Sequence, residues 1–384
     1  MACSPKSYTD WIFLQPIRGS WETINTYGGS KEDIAHGVSI TSDGGFVVIG
    51  NTKSTDGNFL IKDKAGSDIF LMKFSASNSL EWTQVYGGSR DDRGYDVVQL
   101  LDEGFALVGY SKSDDGDASV NQGQHDNWVI RTDSKGLLLW QKSFGFLGHD
   151  HAYSITSTSD GGLFFNGFLD VTASNGQGQD GKRNYLTKKH GVGEFWCHKI
   201  DRNGNLQWRR YFGGTSNDRS YDAIETKKGD FILTGSSESQ DIDISNPKGG
   251  YDIWVVKINA SGALLWEASI GGSGYDNGNA IIETQNGNFL IAGQTFSKDK
   301  DITNPLGSSD GILVWLSPEG ILMKVQNIGE SEFDVLKDIV QRPDGTLVAV
   351  GNNGSIQNEN NPLDNDVVLY YALSNGSLIS SHSL

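Results

Sequence analysis

Residues 86–109 read YGGSRDDRGYDVVQLLDEGFALVG, and the same pattern returns, degraded but legible, five more times. The glycine that follows the aromatic or apolar residue stands at Gly28, Gly87, Gly145, Gly213, Gly271 and Gly329, with steps of 58 or 59 residues and a single one of 68. An aspartate comes five residues later in every copy, at Asp33, Asp92, Asp150, Asp218, Asp276 and Asp334. A second glycine closes each pattern seventeen residues further on, at Gly50, Gly109, Gly167, Gly235, Gly293 and Gly351. Self-similarity at a fixed period marks a repeat array, in which each unit buries its faces against its neighbours.

Each unit reads as four short strands. Two β runs flank a turn such as Ser42-Asp43-Gly44-Gly45 or Asp102-Glu103-Gly104, where Gly and Asn supply the positive φ that a hairpin needs. A third strand follows Asp68, Asp126, Glu194, Asp252, Asp310 and Asp366. A fourth carries Trp82, Trp140, Trp208 and Trp266, with Lys324 and Ser380 at that place in the last two units. No helical period competes. The expected fold is all-β: a propeller of four-stranded antiparallel blades, one per unit. Six blades are expected over a single domain at 10–384, after a polar leader at 1–9. Residues 10–27 resemble the second half of a further unit, so a seventh, partial blade built from this N-terminal hairpin is the alternative.

Composition narrows the partners. With 31 basic and 48 acidic residues the net charge is -17, which argues against nucleic acid and anionic membrane as partners. No apolar run is long enough for a transmembrane helix. Two cysteines, Cys3 and Cys197, support neither a disulfide framework nor a thiolate metal cluster. Few cysteines and an acidic surface fit an exported bacterial protein as well as a cytosolic one. Met1-Ala2-Cys3-Ser4 also matches what surrounds a lipid-bearing cysteine, so a lipid anchor at Cys3 is one expectation. A monomer is another.

In such a blade the link to the next blade and the second–third loop share one end. Both polar signatures fall there, as does every length change, so this face is where loops carry function. The aspartate present in all six units reads as a turn acceptor for Gly-Gly-Ser amides. The pairs Asp115/Asp117, Asp241/Asp243 and Asp299/Asp301 read as Asx turns too, with Ca²⁺ as the possible cofactor, since it takes oxygen ligands.

Positions at which the copies disagree carry more information about function. Three residues after the repeated aspartate stand His36, Tyr95, Tyr153, Tyr221, Asn279 and Lys337, on strands expected to line the channel. Arg93, His151 and Arg219 stand one residue after it. Unit three departs most. It has His149-Asp150-His151 and a basic loop containing Lys188 and His190. His149, His151, Tyr153 and Arg219 form a candidate acid–base set. His36, Arg93, Tyr95, Tyr221, Lys188 and His190 are candidate ligand contacts. His149-x-His151 is also a candidate Zn²⁺ pair, with Glu194 or His190 as third ligand.

The motifs Gly28-Gly29-Ser30, Asp43-Gly44-Gly45-Phe46, Gly50-Asn51-Thr52-Lys53-Ser54, Gly87-Gly88-Ser89, Asp252-Ile253-Trp254-Val255-Val256-Lys257 and Gly262-Ala263-Leu264-Leu265-Trp266 resemble the bacterial β-propeller repeat (SBBP-type) family. The resemblance covers about nine tenths of the chain and is weakest in units three and six. It implies a propeller and an extracellular, periplasmic or cell-surface location. It supplies no activity and no catalytic residues.

The expected function is a binding or interaction module for a glycan or protein, using the elaborated face. A carbohydrate-active enzyme, a polysaccharide lyase or glycosidase with its site around unit three, is the first alternative. A structural scaffold is the second. A concave mouth joining His149, His151, Tyr153 and Arg219 favours the enzyme, and a flat aromatic face favours binding.

Overall fold

The structure, a computed structural model, describes residues 25–59, 66–179, 190–330, 332–355 and 364–383. The leader, most of the N-terminal hairpin with the seventh-blade alternative, Cys3 and Lys188 lie outside the described residues. Twenty-four strands, β1 to β24 in chain order, form six antiparallel sheets of four, and the described residues contain no helix. The sheets are the six blades of a β-propeller.

Blade two shows how sequence becomes blade. Its strands β5 (Asp92–Gln99), β6 (Phe105–Ser111), β7 (Asp126–Thr132) and β8 (Leu138–Phe144) pair in that order. Every residue of β6 and β7 is buried. Both faces of these middle strands are covered by neighbouring blades, so residues 105–108 of β6 and 128–130 of β7 run apolar without alternating. Asp126, Asn127 and Arg131 are buried polar groups towards the ends of β7. Val97, Leu107, Trp128 and Ile130 pack with Val47, Ile49 and Leu71 of blade one. Four more clusters join blades two to six in the same serial way.

The innermost strands touch in ring order: β1 (Asp33–Ile40), β5, β9 (His151–Ser157), β13 (Asp218–Glu225), β17 (Asp276–Glu283) and β21 (Phe333–Gln341). Blade one differs from the others. Besides the cluster it shares with blade two, it has one of its own, Phe59, Phe70, Met72 and Phe74, on the side away from blade two, and β1 leaves Val38 and Ile40 64% and 82% exposed.

The glycine expected to close the second strand lies inside it, because pairing continues for two residues beyond in four blades, three beyond Gly167 and four beyond Gly351. Gly109 pairs with Gly94, and a Cβ at Gly109 would stand 1.8 Å from the Arg93 carbonyl oxygen. The same collision with the first strand recurs at Gly50, Gly167, Gly235, Gly293 and Gly351. Next to each glycine pair the register slips by one residue. The residues skipped are His36, Tyr95, Tyr153, Tyr221, Asn279 and Lys337. A β-bulge re-aims a side chain, so these bulges present one variable residue per blade at the channel.

The repeated aspartate is a turn acceptor in all six blades. Asp33, Asp92, Asp150, Asp218, Asp276 and Asp334 accept the N–H four residues earlier at 2.7–2.9 Å. The fourth-strand tryptophans have an interblade role. Gly136, Gly204, Gly262 and Gly320, all at positive φ, lie against Trp82, Trp140, Trp208 and Trp266 of the preceding blade. Where Lys324 replaces Trp, the third-strand Trp315 meets Gly376 instead. The third strands begin at the expected carboxylates, except that β11 (Gly193–Ile200) starts one residue before Glu194 and β23 (Asp364–Ala372) two before Asp366.

Candidate functional site

The six bulge residues line one cavity of about 520 Å³ in the channel. Asp96, Ser154, Asp222, Ala280 and Asp338 also line it, with Val38, Val48 and Val350 on the side of blades one and six. Asp96 accepts the Ile155 N–H at 2.9 Å and Asp222 the Ile281 N–H at 2.8 Å, so each carboxyl bridges to the next blade. Burial pushes Asp96 up to about 7 and Asp222 up to about 6.

The bulge residues make an aromatic arc along half of the wall. Ring centroids are 5.0 Å apart for His36–Tyr95, 5.1 Å for Tyr95–Tyr153 and 5.4 Å for Tyr153–Tyr221. His36 is held by Asn51, with Nε2 at 2.7 Å from Oδ1. Asn279 and Lys337 close the circle with polar groups, and burial lowers the Lys337 ammonium from its ordinary range.

Above the arc, blades two and three build a histidine cluster. The residue before the third-strand carboxylate accepts the N–H of the next blade's turn aspartate, and here that residue is His125. The Asp150 N–H donates to its carbonyl at 2.8 Å. The same contact makes His125 and His149 a parallel β-bridge, which sets their side chains next to each other. Their Nδ1 atoms are 2.5 Å apart, and His151 Nε2 lies 3.1 Å from His125 Nδ1. His125 is buried, His151 half-buried and His149 exposed.

The cluster rests on an aromatic floor. The Tyr110 ring lies 4.4 Å from both His125 and His151, and Phe168 lies 4.8 Å from His151. Arg93 sits 6.0 Å over Tyr110 and Arg219 5.2 Å over Phe168. Burial first, then nearby positive charge, lowers His125 to about 4 and His151 to about 3, so both imidazoles are neutral at neutral pH. Burial pushes the Tyr110 hydroxyl up to about 12 and raises Tyr153 as well.

The structure therefore brings His149, His151, Tyr153, Arg219, Arg93, Tyr95, Tyr221 and His36 into one contiguous channel mouth. His190 lies elsewhere. It pairs with Glu194 at 3.1 Å and packs against Tyr211. The expectation of Glu194 or His190 as third partner of the His pair is thus corrected to His125. Among the described residues His125, His149 and His151 are the trio of metal-capable groups whose donor atoms all lie within 4.8 Å.

The Asp-x-Asp pairs accept amides of the interblade turns. Asp115, Asp241 and Asp299 take the N–H of Ser89, Thr215 and Ser273, while Asp117, Asp243 and Asp301 take those of Gly87, Gly213 and Gly271, at 2.7–3.3 Å.

Sequence reasoning missed His125, Tyr110, Phe168 and the channel aspartates. The signal was available. Tyr110 and Phe168 directly follow the second-strand glycine, where other copies place Asn51, Ser236, Gln294 and Asn352. His125 precedes the third-strand carboxylate, where others place Ser67, Gly193, Tyr251, Ser309 and Asn365.

Neither a family model nor a curated protein matches the chain. Similar solved structures are numerous. A PL25 ulvan lyase bound to a GlcA(1-4)Rha3S saccharide aligns with TM-score 0.52 at 8% identity, over 93% of this chain and 85% of that one. A puromycin hydrolase aligns with TM-score 0.50 at 11% identity, over 90% of this chain and 45% of that one. The Pan2 WD40 domain of Neurospora crassa aligns with TM-score 0.47 at 11% identity, over 91% and 92%. At such identities the likeness establishes the propeller fold alone, and the closer resemblance to SBBP-type repeats stays a matter of sequence motifs.

Proposed function

We propose that the protein is an exported bacterial β-propeller that binds an anionic glycan at its channel mouth. The observation that carries this reading is the unbroken arc His36–Tyr95–Tyr153–Tyr221 beside Arg93 and Arg219. Aromatic faces stack on the apolar faces of sugars, and guanidinium pairs with carboxylate or sulfate in charge-assisted hydrogen bonds. An acidic protein repels polyanions elsewhere on its surface, which confines such a ligand to this mouth. Export rests on the family resemblance, and a lipid on Cys3 is part of the same proposal. Acyl labelling of the cells that express it, lost on Cys3→Ser, tests the anchor.

A second reading, polysaccharide lyase, is favoured by one observation: Tyr153 and Arg219 both neighbour His151 in the cluster. In a β-elimination Arg219 would neutralise the uronate carboxylate, and His151 or Tyr153 would take the C5 proton. The C4–O bond then breaks, a C4=C5 double bond forms, and the departing oxygen gains a proton.

One screen covers both readings. Uronate-containing polysaccharides should raise the melting temperature of the protein while neutral ones do not. Growth of ultraviolet absorbance from an unsaturated uronate product, abolished by Tyr153→Phe, would add the lyase. Stabilisation by neutral glycans alone would sink the anionic reading.

A further inference from the structure

We propose that His125, His149 and His151 form a binding site for one divalent transition-metal ion, Zn²⁺ in the first instance, at the junction of blades two and three. Their donor atoms, Nδ1 of His125 and His149 and Nε2 of His151, converge within 4.8 Å. Ring nitrogens this close need protons or a cation between them, and a cation satisfies all three together.

The geometry needs little adjustment. Zn–N bonds of about 2.0–2.1 Å in a tetrahedron place the nitrogens about 3.3 Å apart. The 3.1 Å pair already fits, the 2.5 Å pair must open by less than an ångström, and the His149–His151 pair, within 4.8 Å, must close by at most about 1.5 Å. The backbone holds this arrangement on rigid elements. His125 and His149 share a parallel bridge, the Gln124 N–H donates to the Gly148 carbonyl at 2.8 Å, and His151 opens β9.

The donor set selects the metal class. Three imidazoles without a carboxylate suit Zn²⁺, Ni²⁺, Cu²⁺ or Co²⁺, whereas Ca²⁺ and Mg²⁺ take oxygen. Three protein ligands leave a fourth position open, as in catalytic rather than structural zinc sites. His149 is exposed, so that position faces solvent. Arg93 and Arg219 flank the cluster, which favours an anionic fourth ligand. With His151 committed to the metal, Tyr153 becomes the proton-moving group in the lyase reading. The metal site itself does not depend on the glycan reading.

The test uses full-length protein without a histidine tag, stripped with chelator, reloaded with Zn²⁺ and desalted. Elemental analysis should find one bound zinc per chain. His149→Ala should lose it with the circular dichroism spectrum unchanged, and His36→Asn, outside the cluster, should keep it. Co²⁺ in the wild type supplies a readout that needs no variant: intense visible bands of a tetrahedral ion are expected. Zinc absent from the wild type, zinc retained by a folded His149→Ala, or the weak bands of octahedral Co²⁺ would each overturn the proposal.

Discussion

His125 and His149 belong to different blades, yet their Nδ1 atoms stand 2.5 Å apart because a parallel bridge crosses the blade two–three junction. The contact that makes the bridge has counterparts in other blades, with Ser67, Tyr251 and Ser309 at the acceptor position. A generic joint of the fold thus becomes a cluster through the identity of the side chains placed on it.

The glycine–bulge pairing that lines the channel has a direct test. Gly109→Ala drives a methyl group toward the Arg93 carbonyl, and strand separation relieves it only by distorting the bulge that aims Tyr95. The expected cost is about 1–3 kcal/mol of stability, measured by urea unfolding. A neutral substitution would mean that the close approach is not what keeps glycine there.

Asp276 is fully buried and accepts from the Gly272 N–H and from the hydroxyls of Thr295 and Ser297. Asp276→Ala leaves these donors without their acceptor, at about 1–3 kcal/mol for a buried group. Asp276→Asn keeps one acceptor and should lose less. Equal losses in the two variants would contradict the turn-acceptor role.

Stability should also record the raised carboxyls of the channel. An unfolded aspartate titrates near 3.9, and Asp96 is raised to about 7 by burial, with Asp222 adding like charge. The folded state therefore binds more protons within that window, and the stability Asp96 contributes is lost as pH rises through it. Comparison with Asp96→Asn cancels the opposite trend from buried His125 and His151. The melting temperature of wild type relative to the variant should fall between pH 5 and pH 8. A constant difference would show that Asp96 stays ionised in the fold.

The Asp-x-Asp loops carry a separate proposal, a Ca²⁺ ion held by the second carboxylate oxygens beside those already engaged with turn amides. Removing Ca²⁺ with EGTA then lowers the melting temperature by several degrees. An unchanged value leaves turn acceptance, with the Lys248 ion pair at Asp301, as the role of Asp299 and Asp301.

Much of this architecture was legible in the residues. Asp33 and its five counterparts announced a turn, and six spaced copies announced six blades. The bulge residues were visible as the positions of disagreement, although nothing local revealed that each bulge sits beside a close backbone approach such as that of Gly109. The site was half legible. His149 and His151 stand out because they are neighbours in sequence, whereas His125 lies 24 residues away and joins them only through an interblade bridge. His190 misled for the complementary reason. Close in sequence to Glu194, it pairs with that carboxylate and never reaches the channel.

The most direct test of the channel mouth as an anionic-glycan site is calorimetric titration with a uronate oligosaccharide, for wild type and for Arg219→Ala. Arg219 is exposed and stacks on Phe168, so the variant should fold. Loss of one charge-assisted hydrogen bond, about 1.5–3 kcal/mol, corresponds to roughly 10- to 150-fold weaker binding. The account predicts saturable binding that weakens with added salt and falls by that factor in the variant. Binding indifferent to both salt and Arg219, or no binding of any acidic glycan, would contradict it.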